Sequence, residues 1–237
     1  MNILEPNLLI FILVTCAIFQ SLVGVGLIMI GVPTLILMGF SFPEAHSLCL
    51  PGSLLINSFQ VFEKRKKFNK MDFSFYLVMS IIFIISLIIL NYMFNFRFNK
   101  TIAGIVLIFT GIFGLNASLR ERVLFFIRDN AKGTSFLIGI IHALSSLGGS
   151  LLALSGSANY STSDNVRKFI AGGYLILGCI QFVFFYINSI GVNTLLYSFI
   201  SVPVYFITSR FLSPYVNGDK LKIFIFLLIL VYGFLIL

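Results

Sequence analysis

Tryptophan is absent, and every charged class is scarce. The 237 residues hold 16 Lys or Arg, 8 Asp or Glu and 2 His, so charged residues make up only 10% of the chain. A soluble domain carries roughly 25%, and the shortage excludes an ordinary water-exposed surface. Cys16, Cys49 and Cys179 stand singly in apolar surroundings. Without a CxxC pair or an even framework they suggest neither a disulfide scaffold nor a metal cluster, and they read as small polarizable packing residues. No phosphate loop, metal-ligand spacing or paired carboxylates occur, so no cofactor and no metal are expected. Without Trp, any aromatic belt has to come from Tyr and Phe, and Tyr92, Tyr186 and Tyr215 stand near the ends of apolar segments. The opening Met1-Asn2-Ile3-Leu4-Glu5-Pro6 has no Lys or Arg, and no A-x-A-like site follows. The first apolar block is therefore expected to be retained rather than cleaved as a signal.

Apolar residues fill the space the charges leave. They make up 59% of the chain, and the mean hydropathy is +1.05. Apolar segments fall near residues 7–40, 45–62, 73–93, 101–118, 134–154, 169–187, 194–212 and 221–237. Stretches of about 20 residues match roughly 30 Å of hydrocarbon, so residues 1–237 read as one all-α, polytopic membrane domain in contact with the lipid bilayer. The most basic links are "EKRKKFNKMD" (63–72) and "SLRERVLFFIRDNAKG" (118–133), while "SGSANYSTSDN" (155–165) reads as a solvated link. The net charge of +8 sits in such links. That is the positive-inside pattern, not a nucleic-acid footprint. The cluster 64–70 is expected to face anionic lipid.

Charge placement tests the topology. If all eight segments cross, Lys64, Arg65, Lys66, Lys67, Lys70, Arg120, Arg122, Arg128 and Lys132 fall on one side. Arg97, Lys100, Arg167, Lys168, Arg210, Lys220 and Lys222 fall on the other, nine against seven. If segment 134–154 instead dips in and returns, the division becomes fourteen against Arg97 and Lys100 alone. The asymmetry favours a re-entrant segment there.

That segment contains Ser145-Ser146-Leu147-Gly148-Gly149-Ser150, a cluster of poor helix formers, and the first contains "GVGLIMIGVP" (24–33). Setting Ser146 under Gly24 brings Gly148 under Gly26 and Ser155 under Pro33, an offset of 122 residues and about half the chain. The implied repeat has halves of about 7–118 and 134–237, each with one broken segment and about three crossing helices. If the first broken segment also returns without crossing, the halves are inverted in the membrane. Paired interruptions in matching halves point to the binding site of a secondary transporter. Broken backbone is tolerated at membrane depth only where it is buried in protein or lines a cavity. There its freed N–H groups can hold an anion.

"GVGLIMIGVP" followed by Ala45, with "SLGGSLLALS" at the head of the second half, resembles the sulfite exporter TauE/SafE family of membrane transporters, whose halves each begin with a glycine-rich signature. The resemblance implies a multi-pass protein of the bacterial inner membrane that moves small anions, often sulfite or organosulfur compounds. Gly24, Gly26 and Pro33 match in the first half, Gly148 and Gly149 in the second. Leu27 and Ile28 replace glycines of the signature, and Ser146 and Ser155 stand where Gly and Pro belong.

His142, Ser145 and Ser146 complete the expected substrate-binding set, with Ser150 as a further hydroxyl. His46 and His142, the only histidines, are candidates for proton coupling, with sodium as the other coupling ion. Gln20, Asn57, Gln60, Asn116 and Gln181 are expected to hydrogen-bond between helices. Two other classes compete. A rhomboid-like intramembrane serine protease would use "LALSGSAN", but both histidines precede Ser155 and Ser157, against the usual order. A non-transporting scaffold would bind no ligand. The chain is therefore expected to be a transporter and not an enzyme.

Overall fold

The computed structural model describes residues 6–24, 26–63, 70–94, 100–186, 192–212 and 218–237, and among these every regular element is a helix. In chain order they are α1 (Pro6–Val23), a π-helical turn (Leu27–Gly31), α2 (Val32–Leu37), α3 (Phe42–Glu63), α4 (Lys70–Phe94), α5 (Lys100–Leu115) and α6 (Ala117–Asp129). There follow α7 (Ala131–Ser145), α8 (Gly149–Asn159), α9 (Ser163–Gln181) with a second π-helical turn (Phe182–Tyr186), α10 (Val192–Phe199), α11 (Ser201–Phe211) and α12 (Gly218–Ile236). Three helices are long and apolar enough to cross a membrane: Pro6–Val23, Lys70–Leu90 and Asp164–Phe184. Counting the bent pair α5–α6 as one path gives a fourth.

The first interruption doubles the chain back on itself. Gly24 takes φ +92°, a left-handed conformation that glycine adopts freely, and its N–H closes α1 on the Gln20 carbonyl at 2.9 Å. Gly26 then lies directly against the Cys16 carbonyl and Gln20 of α1, and Gly31 lies beside Cys16 and Cys49. The returning limb follows α12. Phe19, before the break, stacks near Phe224 at 6.0 Å, and Thr34, after it, bonds Tyr232 at 2.7 Å.

The second interruption does the same. Gly139 of α7 packs against Met79 and Ile82 of α4, and the His142 ring meets Phe83 edge-on at 4.9 Å. Ser146 is the single non-glycine residue with positive φ (+55°) among the described residues, and Gly148 is folded onto Ile138 and His142. By Tyr160 the chain is back beside Asp72 in the first turn of α4, its hydroxyl 2.6 Å from both carboxylate oxygens. Segment 134–154 is therefore a helical hairpin that enters and leaves at the same end of α4.

Around these hairpins α3 packs on α9, with Gly178 against Leu50 and Leu54, and α5 packs antiparallel on α12. Gly104, Gly111 and Gly114 face Leu237, Leu230 and Phe226, and Gly233 faces Ile108. Small residues let these two backbones approach closely. α7 lies on α4 and α1 on α11.

Five expectations change. The link 118–133 is mostly helix α6, N-capped by Asn116, whose side chain accepts the Leu119 N–H at 3.0 Å. Asn116 thus caps a helix instead of bridging two. The link 155–165 is the last five residues of α8 and the first three of α9 with a three-residue turn between them, and Ser155 and Gly156 are buried. Segment 194–212 is divided at Ile200 into α10 and α11. Asp72, read as part of a polar link, is buried. Within the basic cluster 64–70, residues 64–69 lie outside the described residues.

Candidate functional site

Each hairpin tip exposes backbone groups that a continuous helix would have paired, and each tip recruits side chains to receive them. At the first tip the Leu27 N–H donates to Gln20 Oε1 at 3.0 Å, while Gln20 Nε2 donates to Asn57 Oδ1 at 3.1 Å. Asn57 in turn donates to Ser53 Oγ at 3.2 Å, and Gln60 Nε2 to the Gln20 carbonyl at 3.2 Å. All four side chains are buried. Arg167 of α9 donates to the Leu22 carbonyl at the end of α1 and lies against Gly24. A cation at a helix C-terminus complements the dipole.

At the second tip Ser145 Oγ donates to the Ile141 carbonyl at 2.7 Å and accepts the Leu147 N–H at 3.2 Å. Ser146 accepts from Gln181 Nε2 at 2.8 Å. Ser150 donates to the Leu147 carbonyl at 2.9 Å, and Thr110 of α5 reaches its hydroxyl at the same distance. Gly149 opens α8, the end of a helix where N–H groups lack intrahelical partners. His142 is 1% exposed. Neither of its ring nitrogens makes a well-formed hydrogen bond. The Gln181 side chain lies near the ring, with its Nε2 donating to Ser146.

The tips pass one another along the antiparallel pair α3 and α9. The first reaches Asn57 and Arg167, near the end of α3 and the start of α9, whereas the second reaches Gln181 at the opposite end of α9. Between them stands Tyr174. Its hydroxyl and ring edge occupy the place a Cβ on Gly149 would need. On its other side the ring lines a gap shared with Gln20, Gly24, Gly26, Ile28, Met29 and Ser53. That gap is too narrow to admit a water molecule. The site is closed.

Of the residues singled out in the sequence, Gly24 and Gly26 line the gap, while His142, Ser145, Ser146, Gly148 and Gly149 form the second tip. Pro33 is not at a break. It opens α2, seven residues beyond Gly26 and buried, where its fixed φ suits the first turn of a helix. His46 is buried in α3 beside Phe42 at 5.2 Å and lies within electrostatic reach of His142 at the second tip. Sequence reasoning overlooked Tyr174, Arg167 and Asp72. One signal was available for the pairing of tip and receptor: Gln20 and His142 are themselves 122 residues apart, each four residues before its break.

Comparison with family models, with curated proteins and with solved structures finds no match.

Proposed function

We propose that the protein is a polytopic secondary transporter of small anions, built from two inverted halves and working by alternating access. This is the activity that the sulfite exporter resemblance implies, and the inner membrane is the corresponding location. The observation that carries it is the pair of hairpin tips, matched in sequence, facing opposite ways and separated by one side chain. The packing supports the inversion. Exchanging α1 with α7, the returning limb 27–37 with α8, α3 with α9, α4 with α10–α11, and α5 with α12 maps the helix contacts onto themselves, those of α6 excepted. The pair α4–α7 becomes α11–α1, α9–α4 becomes α3–α10 and α3–α11, α8–α5 becomes α2–α12, and α3–α9 and α5–α12 map to themselves.

In this reading the closed gap is the occluded state. Withdrawal of the Tyr174 ring opens space between the tips for an anion. The amides around Gly148 and Gly149 then donate to it at the start of α8. His142, already desolvated and without a firm partner, donates a proton-bearing nitrogen and couples binding to protonation. Ser155 and Ser157 spend their hydroxyls on the Leu151 and Ala153 carbonyls of their own helix, which favours transport over the serine-protease alternative.

Flux of labelled sulfite, sulfoacetate and other small anions into proteoliposomes tests the proposal. Saturable uptake of at least one anion is expected, lost in Gly148→Leu. Inactivity of the folded protein toward the entire panel would falsify it.

A further inference from the structure

We infer that α6 lies in the plane of the membrane surface and docks on anionic lipid headgroups, clamping the second hairpin from outside. The inference rests on the membrane reading but not on transport. α6 has no counterpart in the other half under the exchange above. It leaves α5 at a bend of 108°, so that where α5 runs along the membrane normal α6 runs across it. Its inner face belongs to the protein: Ile127 is 3% exposed, Leu119, Val123 and Leu124 are half-buried, and the helix packs on α8.

The outer face has no protein partner among the described residues. Phe125 and Phe126 are 68% and 62% exposed, and both neighbour Arg122, three and four positions earlier on the same helix. Of the exposed charges, Arg122 and Arg128 of α6 and Lys132 in the first turn of α7 outnumber Glu121 and Asp129, while Arg120 is half-buried on the side of Ile127. Exposed aromatics among cations on a short helix are the chemistry of an interfacial segment, whose rings sink about 5–10 Å into the headgroup boundary. The location agrees. α8, which α6 covers, ends at Asp72, so α6 occupies the end of the bundle where α4 begins and where the sequence concentrates Lys and Arg. Uncharged lipid would satisfy the phenylalanines alone; the excess of cations selects an anionic surface.

Because the chain has no tryptophan, a single introduced indole reports its own depth. Phe125→Trp and, as a second probe, Phe126→Trp are reconstituted in vesicles of phosphatidylcholine with or without phosphatidylglycerol, carrying lipids brominated near the headgroup or near the chain end. Ile81→Trp, at a 48%-exposed position midway along α4, serves as the deep reference. The expected result is quenching of position 125 or 126 mainly by shallow bromines, of position 81 mainly by deep ones, and little quenching of either by aqueous iodide. Binding of phosphatidylglycerol by the intact protein should weaken about fivefold for each of Arg122→Gln and Arg128→Gln, one cation being worth about that factor at such a surface. Position 81 quenched from the bilayer centre while both α6 probes answer only to iodide would overturn the docking and leave the membrane reading standing. Failure of position 81 as well would overturn both. Equal lipid binding by the glutamine variants would overturn the anionic preference.

Discussion

The approach of Tyr174 to Gly149, at the seam between the tips, is the most direct feature to test. In Gly149→Ala, the new methyl would overlap the hydroxyl and ring of Tyr174. That ring is buried between α8 and the first tip, so it has no empty space into which to swing. Forcing an extra carbon into a filled core costs about 1–3 kcal/mol. Against this, alanine gains at most about 1 kcal/mol of helix propensity over glycine, and less at the first residue of a helix. The clash wins, and the net loss is about 1–2 kcal/mol, which for a chain of this size lowers Tm by about 2–8 °C. Tyr174→Leu deletes the atoms that collide. In that background Gly149→Ala should cost nothing, giving a coupling of about 1–2 kcal/mol, within the usual range for touching residues. Thermal unfolding of the four proteins in one detergent measures the cycle. Equal losses in both backgrounds, or no loss in either, would refute the placement of Tyr174 against the second tip.

Other perturbations probe other parts. Gly26→Ala brings a methyl onto the Cys16 carbonyl and within 2.6 Å of the Gln20 nitrogen; both belong to backbone, so a loss above about 3 kcal/mol is expected, seen as disappearance of the folded peak on size exclusion. Gln20→Leu strands the Leu27 N–H and the Asn57 carbonyl where no water fits, at about 1–3 kcal/mol for each group, and an unchanged melting curve would contradict the hydrogen bonds described. His142→Leu removes a buried ring without firm partners, so Tm should hold or rise while anion uptake is lost; retained uptake would make His142 a mere filler. Ser41→Ala dismantles the capping box in which the Ser41 N–H and hydroxyl hold the exposed Glu44 carboxylate at 2.9 and 2.7 Å, costing about 1 kcal/mol. Those same bonds hold the Glu44 carboxyl below its ordinary value of 4.5. Their contribution is therefore complete above that pH and is lost as the pH falls further. Glu44→Gln should flatten that acid limb.

Both interruptions were legible in the sequence, because Gly24, Gly26, Gly148 and Gly149 lose more conformational freedom in a helix than any other residue and so weaken it there. Charge alone indicated the return of segment 134–154, which the Tyr160–Asp72 contact matches. α6 was not legible: its arginines and acids crowd a short amphipathic helix, so 118–133 reads as a polar link until Asn116 is seen to cap it. Nor was Tyr174. An aromatic residue inside an apolar helix carries no mark in sequence, and its importance comes from two segments far apart in the chain closing on it. The division at Ile200 likewise follows from tertiary fit, where the Gly52 N–H of α3 turns to Ser198 Oγ at 2.6 Å.

The dry seam around Tyr174 has an electrical consequence. A continuous file of solvent across a bilayer would carry protons and discharge the gradient that drives every coupled process in the cell. In the transporter proposed above, the Tyr174 ring wedged between the tips cuts that file at the seam.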